Sequence, residues 1–197
     1  MLQWLKRKAE THRIGHEIYE RIVAQARQPE FFRDMRVPDT MEGRLEMIML
    51  HLVLVLERLS PEGAAGQRLG QRLMEHLMAD YDDALRQIGI GDMGVPRRVQ
   101  KAAAAFTERA RDYRSALRDA GGDGLEAALQ SHVYEAGSAA PAGGAPSVAG
   151  AAGASHARGL ATYVRHAAAH LSTLSDADLF EGYGLFPTPH QPVENRP

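Results

Sequence analysis

The chain has 197 residues, 44 % of them hydrophobic and 24 % charged, with a formal net charge of −2. That is enough for one domain with a real core, and it excludes both an intrinsically disordered chain and a general polyanion binder. The absence of cysteine excludes a disulfide framework, a thiolate zinc site and cysteine catalysis, and fits a reducing compartment.

The first ten residues read as a flexible N-terminus. Leu2, Trp4 and Leu5 beside Lys6, Arg7 and Lys8 have the composition of a segment that rests on an anionic membrane surface or frays. No apolar core follows these cations, so a secretory signal is not expected. Ile14, Ile18, Ile22, Val23 and Ala26 recur at helical spacing and predict a helix over Thr11–Gln28, stopped by Pro29. Phe31 and Phe32 read as core plugs in the connection.

The stretch Val37–Arg58 is the most informative. Val37-Pro38 resists helix, Asp39 or Thr40 can cap one, and Glu42 stands three residues after Asp39 as in a capping box. Met41, Leu45, Ile48, Leu52, Val55 and Leu59 form an inner stripe. From Met47 to Leu56 the only polar side chain is His51, so this helix must be buried in its own domain or against another chain. Ser60-Pro61 opens a third helix with the stripe Leu69, Leu73, Leu77, Tyr81, Leu85 and Ile88.

After the turn Gly89–Gly94, Val95-Pro96 opens a basic helix. Its apolar side is Val99, Ala102, Phe106, Ala110, Tyr113 and Leu117, and Arg97, Arg98, Lys101, Arg109, Arg111, Arg114 and Arg118 supply the charge. Residues 94–118 carry +5, against −5 in 37–93, +3 in 1–36 and −5 in 119–197, which marks one segment able to meet an acidic partner. A short helix over Asp123–Tyr134 follows. Residues 136–155 are Ala, Gly, Ser and Pro apart from Val148 and His-free, and read as a flexible insert. A helix over His156–Leu174 and a turn capped by Ser175 come next, and 183–197 reads as a disordered tail. No strand pattern occurs. The expected fold is all-α, an antiparallel helical bundle around a central apolar helix, forming one domain over 11–182.

Nucleophile-elbow, phosphate-loop and dinucleotide motifs are missing. His12 and His16, with Glu20 in the same row, and His166 and His170 are one-turn pairs able to bind a metal, but no further ligand is visible in sequence. No metal or other cofactor is therefore assigned. A helical metal- or haem-binding protein using these pairs stays open as an alternative, as does a general protein–protein adaptor. Seven of the eight methionines lie between Met35 and Met93, a pattern of core filling or of an adaptable apolar client surface.

Several separate motifs in order resemble the ubiquinol–cytochrome c chaperone family. They are Tyr19-Glu20-Arg21-Ile22-Val23, Pro29-Glu30-Phe31-Phe32, Val37-Pro38-Asp39-Thr40-Met41-Glu42-Gly43-Arg44-Leu45-Glu46-Met47 with Leu50-His51, Gly91-Asp92-Met93-Gly94-Val95-Pro96-Arg97-Arg98-Val99, and Ala105-Phe106 to Tyr113. Thr107-Glu108 stand where the family pattern has an aromatic and a glycine. The resemblance covers residues 12–135 and the helix after the insert. It implies a non-enzymatic assembly factor for respiratory complex III that binds newly made cytochrome b, with the ribosome or a small partner protein as further contacts. With no transit peptide read at the N-terminus, a bacterial member is expected, in the cytoplasm or peripheral at the inner face of the inner membrane. The expected partner-binding residues are Arg36, Asp39, Glu42, Arg44 and His51, with Arg97, Arg98 and Lys101 docking an acidic partner.

Overall fold

The computed structural model describes the backbone of residues 2–119, 123–135 and 151–189, and the side chains of 12–119, 123–135 and 156–189. Eight helices are described: α1 (Leu2–Ala26), α2 (Pro29–Arg33), α3 (Met41–Leu59), α4 (Gly63–Gln87), α5 (Val95–Arg118), α6 (Asp123–Leu129), α7 (Ala151–Thr173) and α8 (Asp176–Glu181). No strand occurs among the described residues, so the fold is all-α as expected. Helix α1 starts at Leu2 rather than Thr11, because residues 2–10 hold no proline or glycine to break it. The expected insert falls mostly on residues 136–150, which lie outside the described residues, as do 190–197.

Helix α3 is the centre, touched by α1, α4, α5 and α7. Leu50, Leu52, Val53, Leu54 and Val55 are at most 2 % exposed, and each contributes about 1.5–3 kcal/mol by leaving water. The polar-free stretch is thus buried within its own domain, which answers the question that its sequence left open. The contacts also fix direction. His16 and Tyr19 of α1, and Arg27 just past its end, meet progressively later residues of α4, so those helices run parallel. Leu56 meets Gly70 and Ile48 meets Leu77 and Tyr81, so α3 opposes α4. Glu46 pairs with Arg109 and Glu57 with Arg114, so α5 advances alongside α3.

The start of α3 departs from the capping-box reading. Thr40 is the cap, and its hydroxyl accepts the Gly43 N–H at 2.9 Å. Asp39 turns instead to Arg44, 2.6 Å away, and Glu42 points to solvent. Glycine at 43 is a steric requirement, since a Cβ there would lie 2.1 Å from the Pro38 carbonyl oxygen. Gly43→Ala should therefore displace the entry into α3 and cost about 1–3 kcal/mol, read as a lowered urea midpoint at unchanged slope.

Ser60 is no side-chain cap. Ser60–Glu62 form a 3-10 turn, and α4 begins at Gly63 with φ +59. Helix α6 runs into a π-helical segment, Gln130–Glu135, whose Tyr134 hydroxyl donates to the carbonyls of Met35 and His156. The described part of the expected tail is packed rather than loose. Leu185 is 3 % exposed and the Phe186 ring lies 4.9 Å from that of His51, because these two apolar side chains find the open flank of the core.

Candidate functional site

One end of the bundle gathers the end of α1, the loop before α3, the first turns of α3, the last turns of α4 and the start of α5. A cleft of about 140 Å³ opens there. Its floor is Met41, Leu45, Ile48, Leu77 and Tyr81, and Arg27, Arg44 and Asp80 stand at its rim. Of the inner stripe read from sequence, Met41 and Leu45 thus face this cleft instead of the deep core.

The charged rim is ordered by local pairing. Asp39 accepts from Arg44 Nε at 2.6 Å, and that bond holds the Asp39 carboxyl below its ordinary value. The Arg44 guanidinium also lies over the Phe32 ring, 5.5 Å from its centre. Asp80 accepts from the Tyr19 hydroxyl at 3.0 Å, which fixes one wall to α1. Burial pushes the Tyr81 hydroxyl up, while the Arg98 charge lowers it and Glu42 raises it, so both charges sit in the electrostatic reach of the cleft.

The structure brings Arg36, Asp39, Glu42, Arg44, Arg97 and Arg98 to this same end. All six are exposed. Arg36 has φ 55, a left-handed backbone uncommon outside glycine, at the corner where the chain leaves α2 for α3. Lys101 follows one turn along α5 and is exposed as well. The α4–α5 turn beside them leaves Ile88 60 % and Met93 96 % exposed. Met35, Met47 and Met49 are core residues, so of the methionine cluster Met41 and Met93 are the ones that reach this surface most directly.

His51 does not belong to this surface, which corrects its place in the expected patch. It is fully buried. The imidazole Nδ1–H donates to the Met47 carbonyl at 2.7 Å, since a carbonyl can only accept, and Nε2 accepts from the Tyr163 hydroxyl at 2.8 Å. Tyr163 in turn accepts from Gln25, whose amide also donates to the Pro187 carbonyl. His51 therefore joins α3, α7, α1 and the C-terminal segment. Burial pulls its pKa down to about 4, leaving the ring neutral at pH 7.

Arg109, read as part of the solvated basic face, is also buried, at 9 % exposure. Its guanidinium makes a forked contact with Glu46, with N–O distances of 2.6–2.8 Å. Sequence reasoning missed Arg27, Asp80 and Tyr81 in the cleft. Tyr81 read as an ordinary stripe position, and only the parallel packing of α1 on α4 brings Arg27 beside it.

Among the described residues no helix is long and apolar enough to cross a membrane. The family model described as ubiquinol-cytochrome C chaperone matches residues 33–186. The chain is also similar to the crystal structure of the Cbp3 homolog from Brucella abortus. That likeness has 36 % identity and a TM-score of 0.74, covering 92 % of this chain and 93 % of that one. No curated protein matches.

Proposed function

The chain belongs to the ubiquinol-cytochrome C chaperone family, and from that premise we propose that it binds newly made cytochrome b and supports assembly of the ubiquinol–cytochrome c reductase complex. It does this without catalysis, as a holder at the membrane face where the client inserts. The ribosome or a small partner protein is a second contact in this reading. The observation that carries it is the end-of-bundle cleft. An apolar floor of Met41, Leu45, Ile48, Leu77 and Tyr81 has Arg27, Arg44 and Asp80 at its rim, with Asp39 paired to Arg44 and the Arg98 and Glu42 charges within reach of Tyr81. An apolar centre with a polar rim is the common anatomy of a protein-binding patch, and methionine adapts to irregular partners.

Photocrosslinking tests the assignment. A photoreactive residue at Met41, Arg44, Tyr81 or Met93 should capture newly made cytochrome b, whereas one at Gln71 or Thr173, both exposed and toward the other end of α3, should not. Equal capture from both sets, or from neither, would remove the cleft from the proposal. Arg97→Glu with Arg98→Glu and Lys101→Glu should weaken capture of an acidic partner and flatten its loss with salt.

A further inference from the structure

Away from the cleft, the two histidines of α1 meet a third that sequence could not supply. His12 and His16 lie one turn apart on α1, and the parallel α4 delivers His76 between them. The His76 ring centre is 5.5 Å from that of His12 and 5.4 Å from that of His16. His12 and His16 are exposed and His76 is half-buried, so an ion and its water can reach all three. Tyr19 stacks on His76 with ring centres 5.7 Å apart, and its hydroxyl is held by Asp80, which fixes the floor under the imidazole.

These separations match a known chemistry. A zinc ion about 2.1 Å from each imidazole nitrogen places the ring centres of a tetrahedral set roughly 5 Å apart. Helical residues four apart have Cβ atoms about 5–6 Å apart, the span that one-turn histidine ligands use. Glu20 stands 3.3 Å from His16 Nε2 as an adjacent carboxylate. In the structure the rings pack edge-on and tilted, and no group of three His, Asp or Glu side chains among the described residues is already gathered to hold a metal ion. Gathering them takes rotation of the two exposed α1 side chains toward His76.

We propose that His12, His16 and His76 form a three-imidazole site for a divalent transition metal of the zinc class, with water or Glu20 as fourth ligand. An imidazole set without thiolate suits zinc, copper or nickel in preference to calcium or magnesium. The bound ion staples α1 to α4. All of α1 precedes the matched span 33–186, so the site ties that N-terminal helix to the body of the family fold.

Tag-free full-length protein titrated with cobalt(II) should bind one equivalent with the intense visible absorption of a four-coordinate ion, and zinc should displace it. His76→Gln, and separately His12→Gln with His16→Gln, should each weaken binding by at least ~10-fold, beyond the cost of disturbing outer-shell partners. His166→Gln with His170→Gln should leave it unchanged, because His170 is engaged with the Gly184 carbonyl. Melting of each metal-free variant confirms that it folds. Absence of saturable binding, a six-coordinate cobalt spectrum, or equal weakening in the His166/His170 variant would overturn the site. Cytochrome b capture is measured separately, so failure here leaves the chaperone proposal standing.

Discussion

Arg109→Ala should destabilise the protein by about 3–5 kcal/mol, the cost of leaving one partner of a buried ion pair uncompensated. The Glu46 and Arg109 side chains are 8 % and 11 % exposed, and the guanidinium fork uses both carboxylate oxygens. Burial pushes the Glu46 carboxyl up and the bond to Arg109 opposes it. Once Arg109 is gone, burial outweighs the remaining His132 charge and Glu46 takes up a proton more readily in the folded state than in the unfolded one. The sign follows directly. A raised folded pKa means that the variant is relatively most stable below the unfolded carboxyl value near 4.3 and loses stability as pH rises above it. Urea denaturation of Arg109→Ala at pH 5 and pH 7 should show both the large loss and its growth with pH. Glu46→Leu with Arg109→Met removes both charges together and should lie within about 1 kcal/mol of the parent, or above it. A single variant within 1 kcal/mol of the parent at pH 7 would refute the pair's role in stability.

That pair also shows where the sequence could and could not be read. Arg109 falls three residues after Phe106 and four before Tyr113, so it sits on the apolar stripe of α5, yet its charge placed it with the basic face in the sequence reading. Its partner was not legible, because pairing Glu46 with Arg109 depends on α5 advancing alongside α3. The limits of α5 were readable for the opposite reason, since Val95-Pro96 fixes its start locally. The same division runs through the cleft. Asp39, Glu42 and Arg44 announce themselves in one short motif, whereas Arg27, Asp80 and Tyr81 join them only through the packing of α1 and α4. His76 is the clearest case. It has no helical partner of its own kind, and its meeting with His12 and His16 is set entirely by which helix lies beside α1 and in which direction. The choice between the two cap candidates of α3 was open for a subtler reason. Asp39 and Thr40 are both competent, and the choice of Thr40 follows from Asp39 being drawn to Arg44.

Acid should destabilise the fold through His51 by up to about 3 kcal/mol between pH 6.5 and pH 4. The folded value of about 4 lies below the ordinary 6.5, so the unfolded chain binds this proton first. The neutral-ring contribution is fully present above 6.5, declines as pH falls through that value, and stops changing below the folded value. Each unit of separation corresponds to about 1.4 kcal/mol. The rings of Phe31, Tyr163 and Phe186 surround the imidazole, and its polar contacts are an acceptor carbonyl and a hydroxyl, so no carboxylate is on hand to stabilise a second proton. Protonation also converts Nε2 from acceptor to donor, which turns it against the donating Tyr163 hydroxyl and breaks the chain that runs through Gln25 to the Pro187 carbonyl. His51→Gln should be less stable at pH 7 by about 1–3 kcal/mol, the cost of disturbing buried hydrogen bonds, yet lose less between pH 6.5 and pH 4. Other groups, including His76 and the paired carboxylates, titrate in both proteins, so the difference between the two stability–pH curves isolates His51. Parallel curves across that window would show that the buried ring does not govern the acid response.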